Sequence, residues 1–391
     1  MSLSSRVILP GQTIGIIGGG QLGRMMALSA KAQGFRIAVL DPTEDSPCGQ
    51  VADYKIIGEY GSLSAIKELA NVSDVITYEF ENINAEALNW LCENAYVPQG
   101  TSLLEITQDR ITEKTAIQRA GAVVAPYAEI RTIEDIYATI DKLGYPAVLK
   151  TARGGYDGKG QFVINDVQLV PEAAELLEKG VCVLEKWIPF FKEISVIICR
   201  SVSGESVVFP VGENIHQENI LHQTIVPARI SHNAQERAIQ AAKQLANHLN
   251  LVGTLAVEMF LTEDEDLYIN ELAPRPHNSG HYSIEACETS QFEQHIRAIC
   301  NWPLGKTDLL KRAVMVNILG EHQEALIEKI PSLVDWNIHL YGKKDAKHKR
   351  KMGHVTLLRD SIEAGLEEIE NSGIWNKGPV PMLHDRRIKH D

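Results

Sequence analysis

The sequence predicts an α/β protein built in three parts, and three observations carry that reading. Residues 13–17 (TIGII) form an apolar, β-branched run that passes through a glycine cluster into QLGRMMALSAKAQG and then FRIAVLD, a β-loop-α-β opening of a parallel sheet. Residues 145–150 (YPAVLK) read as a strand ending on a lysine, and the glycine-rich stretch GGYDGKG follows four residues later. Residues 256–261 (AVEMFL) and 267–272 (LYINEL) are strand-like arms around the polar turn 262–266.

The parts follow in order. A chain of 391 residues is too long for one ordinary core. The first domain spans 1–112. It continues with a strand over 74–79 (DVITYE) and an amphipathic helix over 84–94 (NAEALNWLCEN). A small central α+β domain spans 113–189. It has helices near 109–120, 132–143 and 171–179, and strands around the second glycine loop. The third, 190–391, is α+β. Its strands are EISVIICR and ESVVFPV, followed by a long helix (231–249), the 254–272 hairpin, a helix near 284–300 and a tail with strands and a basic loop.

Composition excludes several function classes. Net charge −13 argues against a general nucleic-acid binder, because polyanions need a broad cationic surface. Small anions in local basic pockets remain compatible with it. The six cysteines form no CxxC pair and read as small core residues, which predicts neither a disulfide framework nor a zinc site and points to a reducing cytoplasm. No apolar run approaches the ~20 residues of a membrane helix, and the N-terminal residues lack a signal-peptide pattern.

Gly18, Gly20 and Gly23 satisfy GxGxxG between a strand and a helix, with Asp41 closing the next strand. The pattern predicts an anion-binding turn at a helix N-terminus. It leaves open a dinucleotide, another phosphate ligand or tight packing alone. The second loop, Gly154-Gly155-Tyr156-Asp157-Gly158-Lys159-Gly160, is costly in chain entropy and suits a backbone that closes over a ligand. Lys150 supplies a point charge for a nucleotide phosphate, and no GK[ST] makes this a Walker loop. The strand VLEKWI offers an adenine wall flanked by Glu185 and Lys186, with Glu193 a candidate for the ribose hydroxyls.

A hairpin centred between Asp264 and Glu265 pairs Glu258 with Glu271 on one face. Like charges so placed destabilise a sheet unless a cation lies between them, and Mg²⁺ takes one or two carboxylates plus phosphate oxygens. A register one residue away would split the pair, and Asn270 joins it only if a bulge turns it inward. The rigid turn APRPHNSGH follows, with Arg275, His277, Asn278 and His281 suited to a small oxyanion beside a γ-phosphate. The basic loop 343–351 reads mostly as a solvated charge run.

The order of these pieces resembles the ATP-grasp superfamily. The strings GGGQLGRM, YEFEN, GGYDGKG, EKW, NELAPRPHNSGH and RKMGH resemble its N5-carboxyaminoimidazole ribonucleotide synthetase family over residues 13–385. The resemblance implies an ATP-grasp fold with an N-terminal Rossmann-like domain, a small central lid domain and a C-terminal α+β domain. It implies that ATP, bicarbonate and 5-aminoimidazole ribonucleotide give the N5-carbamate, ADP and phosphate, through carboxyphosphate, in purine biosynthesis.

It further implies ATP contacts at Arg110, Lys150, the 154–160 loop (Gly154, Gly155, Tyr156, Asp157, Gly158, Lys159, Gly160), Glu185, Lys186, Trp187, Ile188, Glu193, His216, Asn270 and Glu271. Glu258 and Glu271 would hold Mg²⁺, as two ions. Arg275, His277 and Asn278 would hold bicarbonate, and Asp157 would assist proton removal. Gln21, Leu22, Glu81, Tyr156, Asp157, Lys343 and Arg350 would bind the aminoimidazole nucleotide, its phosphate cradled by the first glycine turn. A cytoplasmic homodimer without nucleic-acid or membrane partners completes the expectation. The rivals are formate activation on glycinamide ribonucleotide, an oxidoreductase resting on the first glycine motif, and a binding protein without catalysis.

Overall fold

The computed structural model describes residues 6–80, 83–155 and 159–375. The first sheet is parallel, in the order β3-β2-β1-β4: β1 (Thr13–Ile17), β2 (Arg36–Asp41), β3 (Tyr54–Ile57) and β4 (Val75–Tyr78). All five residues of β1 are buried, as a central parallel strand covered on both faces requires. The helices are α1 (Gln21–Ala32), α2 (Leu63–Val72), α3 (Ala85–Asn94) and α4 (Ser102–Thr107), with α5 (Arg110–Arg119) leading into the next unit.

The second sheet is small and antiparallel, in the order β5-β8-β6-β7: β5 (Tyr127–Ile130), β6 (Ala147–Thr151), β7 (Gln161–Ile164) and β8 (Cys182–Lys186). Helix α6 (Ile133–Leu143) covers it, started by a capping box between Thr132 and Asp135. The helix expected over 171–179 is a single α turn, α7 (Val170–Ala173), that tightens into a 3₁₀ segment over Ala174–Lys179 before Gly180.

The third sheet has nine strands: β9 (Phe190–Arg200), β10 (Ser206–Val208), β11 (Gly212–Gln217), β12 (Ile220–Val226), β13 (Gly253–Thr262), β14 (Leu267–Ala273), β15 (Arg312–Leu319), β16 (Trp336–Leu340) and β17 (Lys351–Arg359). Its path is β14-β13-β9-β11-β12-β15-β17-β16, with β10 beside β9. Helix α8 (His232–His248) buries Ala234, Ala238, Ala242, Leu245 and Ala246, an i, i+4 stripe of small residues. The helix expected over 284–300 is broken into α9 (Ser283–Ala286) and α10 (Gln291–Ile299). The Ser290 hydroxyl accepts from the Glu293 N–H at 3.1 Å and starts a new helix there. Helices α11 (Gln323–Lys329) and α12 (Ile362–Ser372) complete the chain.

One apolar core joins Ile14, Ile16 and Met26 of the first unit to Phe292, Ile296 and Ile299 of α10. The first glycine turn is thereby held against the third unit. All six cysteines are free thiols, five buried and Cys92 exposed. Among the described residues no helix is long and apolar enough to cross a membrane.

Candidate active site

The carboxylate pair forms through two irregularities that offset each other. The turn after β13 is a three-residue loop: Thr262 C=O accepts from Glu265 N–H at 3.0 Å, and Glu265 takes φ 63°. The hairpin therefore centres on Asp264, one half-step from the centre expected from sequence, and pairs Met259 with Ile269. A β-bulge then inserts Asn270, and beyond it Glu258 stands opposite Glu271. Without the bulge Glu258 would face Asn270. The Asn270 side-chain oxygen is buried with no hydrogen-bond partner. The far edge of β14 is closed by Val123 C=O on Ile269 N–H (2.7 Å) and the Glu113 carboxyl on Leu272 N–H (2.7 Å).

Burial, and then the facing Glu271 carboxylate, push Glu258 up to about 8. Burial and the same neighbour push Glu113 to about 8. Arg110 reaches Glu271 at 3.4 Å, and His277 Nε2 stands 3.4 Å from Glu258. On the same sheet face Ser195 lies opposite Glu258 and Glu193 opposite Phe260. Glu193 contacts His216 Nδ1 at 2.5 Å. Burial opposes protonation of His216, but the Glu193 hydrogen bond and charge raise its pKa above the ordinary value.

On the second sheet Lys150 meets Glu185 at 3.1 Å and Lys114 meets it at 3.2 Å. Burial alone would raise the Glu185 pKa, yet Lys150, Lys114 and Arg110 hold it at about 2. Two lysines thus share one buried anion, while Arg110 pairs with Glu271. The backbone N–H groups of Lys186 and Trp187 donate to Pro126 and Pro146 C=O at 2.8 and 3.1 Å. Rings of Trp187, Phe190 and Phe260 run along this wall, the latter two stacked at 4.7 Å.

The base of the second glycine loop is tied down. Thr151 N–H donates to Gly160 C=O at 2.8 Å, and Arg110 N–H to Ala152 C=O at 2.9 Å. A Cβ on Gly155 would meet the Lys159 carbonyl oxygen at 2.8 Å, so this close chain crossing needs glycine. Tyr156, Asp157, Gly158 and Glu81 lie outside the described residues.

The first glycine turn holds protein carboxylates. Gly19 N–H donates to Asp41 at 2.7 Å, Gly23 N–H to Glu79 at 2.6 Å, and Gly20 N–H to Glu79 as well. Asp41 also accepts from the Tyr60 hydroxyl at 2.6 Å, so this acid is consumed internally. These bonds occupy the turn's N–H groups with protein carboxylates, remove the dinucleotide reading of the motif, and leave the Gln21 side of the turn outside them. Gln21, on that side, accepts from Lys343 Nζ at 2.5 Å across 322 residues of sequence. Leu22 is packed into the core, whereas Arg350 is exposed and its guanidinium returns to Asp345 C=O at 3.0 Å.

The turn after β14 is held by Gln291, whose amide accepts from His277 N–H at 2.9 Å and donates to His277 C=O at 2.7 Å. Arg275 Nη1 donates to Pro276 C=O at 3.1 Å. The Asn278 amide is buried, with neither its nitrogen nor its oxygen hydrogen-bonded. Burial, and then the Arg275 charge, hold His277 well below its ordinary pKa. Sequence reasoning gave no role to Lys114, Glu113, Glu79, Ser195 or Ser279. Only Glu79, the first acid of YEFEN, and Ser279, inside NELAPRPHNSGH, lay in strings that the sequence singled out.

The comparisons with known proteins cover almost all of the chain. Residues 115–292 match the model of the ATP-grasp domain, 11–108 the ribonucleotide synthetase preATP-grasp domain, and 313–368 the phosphoribosylaminoimidazole carboxylase C-terminal domain. The chain is 57% identical over 377 residues (96% of this chain, 99% of the relative) to N5-carboxyaminoimidazole ribonucleotide synthase of Bacillus subtilis (strain 168). It is similar to an ADP complex of an N5-carboxyaminoimidazole ribonucleotide synthetase (TM-score 0.93, 60% identity, 95% of this chain and 98% of that chain). It also matches the Aspergillus clavatus enzyme in complex with ADP and 5-aminoimidazole ribonucleotide (TM-score 0.88, 30% identity, 93% and 98%). With the fold, the carboxylate pair and these likenesses together, the chain belongs to the N5-carboxyaminoimidazole ribonucleotide synthase family of ATP-grasp ligases.

Proposed function

We infer that the chain carboxylates the 5-amino group of 5-aminoimidazole ribonucleotide with bicarbonate, converting ATP to ADP and phosphate. The observation that carries this reading is the Glu258–Glu271 pair directly beside the Arg275-Pro276-His277-Asn278 turn. It joins a phosphate-polarising site to an oxyanion site on one sheet face.

The donor set fits Mg²⁺. Two facing carboxylates and the orphaned Asn270 oxygen are hard oxygen ligands, and the like-charge pair calls for a cation. Bound there as two ions, Mg²⁺ would offset charge on the ATP phosphates. Lys150 and Arg110 would offset charge on the same phosphates, with Lys114 buried on the Glu185 carboxylate that Lys150 shares. The Glu193–His216 pair suits the ribose hydroxyls, and Lys186, Trp187 and Ile188 the adenine.

Bicarbonate is a poor electrophile. Attack of its oxygen on the γ-phosphorus breaks the β–γ bridging P–O bond and gives carboxyphosphate, whose phosphate can leave. Arg275, Asn278 and His277 supply donors for the oxyanion. Gln21 and Lys343, which meet across the first and third units, would bind the aminoimidazole nucleotide at its phosphate. The glycine loop 154–160 would close to keep water from the reactive acyl phosphate, with Asp157 taking the amine proton. A cytoplasmic homodimer is the setting proposed for this chemistry.

The test is phosphate release from MgATP and bicarbonate, with and without 5-aminoimidazole ribonucleotide. Parallel arms hold glycinamide ribonucleotide with formate, and NAD(H) followed by absorbance. Stimulation by the aminoimidazole nucleotide, lost in Glu271→Ala, is the expected result. Turnover only with formate and the glycinamide would keep the ligase class and remove the substrate.

A further inference from the structure

Beneath the oxyanion turn lies a short hydroxyl chain that the mechanism above does not use. Ser195, on β9 opposite Glu258, donates from Oγ to Ser279 Oγ at 2.9 Å. Ser279 Oγ stands 2.9 Å from His277 Nδ1, and Ser279 N–H donates to the same Nδ1 at 3.3 Å. Both serines are buried, at 2% and 0% exposure, so no solvent competes for these bonds.

The donor count fixes the direction of the chain. A backbone N–H can only donate, so Nδ1 of His277 must be an acceptor and bears no proton. Ser195 donates to Ser279, which frees the single Ser279 hydroxyl proton to point at Nδ1 as well. A neutral imidazole with Nδ1 bare carries its proton on Nε2, and Nε2 is the atom that faces Glu258 and the oxyanion site. An Nδ1–H tautomer would set a proton against the Ser279 N–H inside a closed turn. The turn itself is held by the Gln291 amide on both backbone groups of His277.

We propose that Ser279, oriented by Ser195, is a positioning residue that locks His277 in the Nε2–H tautomer. His277 then presents a hydrogen-bond donor, and not a base, to the oxyanion of the acyl-transfer site. The inference rests on the functional reading given above for the turn. It divides the labour within that turn: His277 donates with Arg275, and the amine proton must go to another group. The logic is that of an outer partner fixing the tautomer of an inner imidazole.

The experiment uses the full chain with ¹⁵N-labelled histidine. A long-range ¹H–¹⁵N correlation spectrum, with His277 assigned by its loss in His277→Gln, reads the protonation of each ring nitrogen. The expected result is a protonated Nε2 and a bare, hydrogen-bonded Nδ1 at neutral pH. A protonated Nδ1, or the averaged pattern of a free imidazole, overturns the proposal without any variant having to fold. Ser279→Ala should mix the tautomers and lower kcat/KM for bicarbonate about 10–100-fold, with KM for ATP unchanged. Ser195→Ala should act in the same direction and less. Unchanged tautomer and bicarbonate kinetics in Ser279→Ala would also overturn it. Unaltered bicarbonate dependence in His277→Gln would remove the functional reading of the turn, while the tautomer spectrum would still stand.

Discussion

Replacing Glu185 by glutamine keeps the side chain's shape and removes the anion shared by two buried lysines. Side-chain exposure is 1% at Lys114, 12% at Lys150 and 5% at Glu185, so solvent screens little of the interaction. The depression of Glu185 from 4.5 to about 2 corresponds to about 3 kcal/mol at neutral pH. Breaking a buried pair by removing one partner costs a similar ~3–5 kcal/mol. The sign follows from the direction: a depressed carboxyl contributes fully above its unfolded value of 4.5 and loses that contribution as pH falls toward 2. Urea denaturation at pH 7 should therefore place Glu185→Gln about 3 kcal/mol below the parent, with more than half of the gap gone by about pH 3. Glu129→Gln is the control, because its Arg131 pair is exposed (39% and 68%) and should cost under about 1 kcal/mol. A Glu185→Gln loss no larger than the control, or a gap that does not shrink with acid, would refute the reasoning.

Two further outcomes concern Glu113, beside the carboxylate pair, and Gly23 of the first glycine turn. Glu113 is pushed up to about 8, so its contribution is full below 4.5 and is lost as pH rises through 8; denaturation midpoints should show Glu113→Gln gaining on the parent across that window. In Gly23→Ala the new Cβ would meet the Gly18 carbonyl oxygen at 2.6 Å, and because backbone cannot yield cheaply, thermal denaturation should show a loss of about 1–3 kcal/mol.

Much of the architecture was legible because local patterns and tertiary demands agree. The buried run Thr13–Ile17, the small-residue stripe of α8 and the strands flanking the second glycine loop each carry their period in the sequence. The Glu258–Glu271 pairing was legible too, but for an incomplete reason. A three-residue loop moves the register one way and the Asn270 bulge returns it, and hairpin arithmetic sees only the sum. The breaks at Ser290 and after Ala173 escaped because a serine cap or a tightened turn inside an apolar-periodic stretch leaves the period nearly intact.

By itself, then, the sequence determined the three-part α/β order, the lysine strand with its glycine loop, and the acids and turn that belong to the carboxylating family. These depend on residue type and local spacing. Tertiary structure alone decided which groups share a charge. Lys114 joins Lys150 on Glu185 from a helix 36 residues away, Lys343 reaches Gln21 across 322 residues, and Glu79 and Asp41 fill the turn that GxGxxG alone offered to a dinucleotide. Coulomb interactions and hydrogen bonds act over a few ångströms of space, whatever the separation along the chain, so only the folded arrangement fixes them.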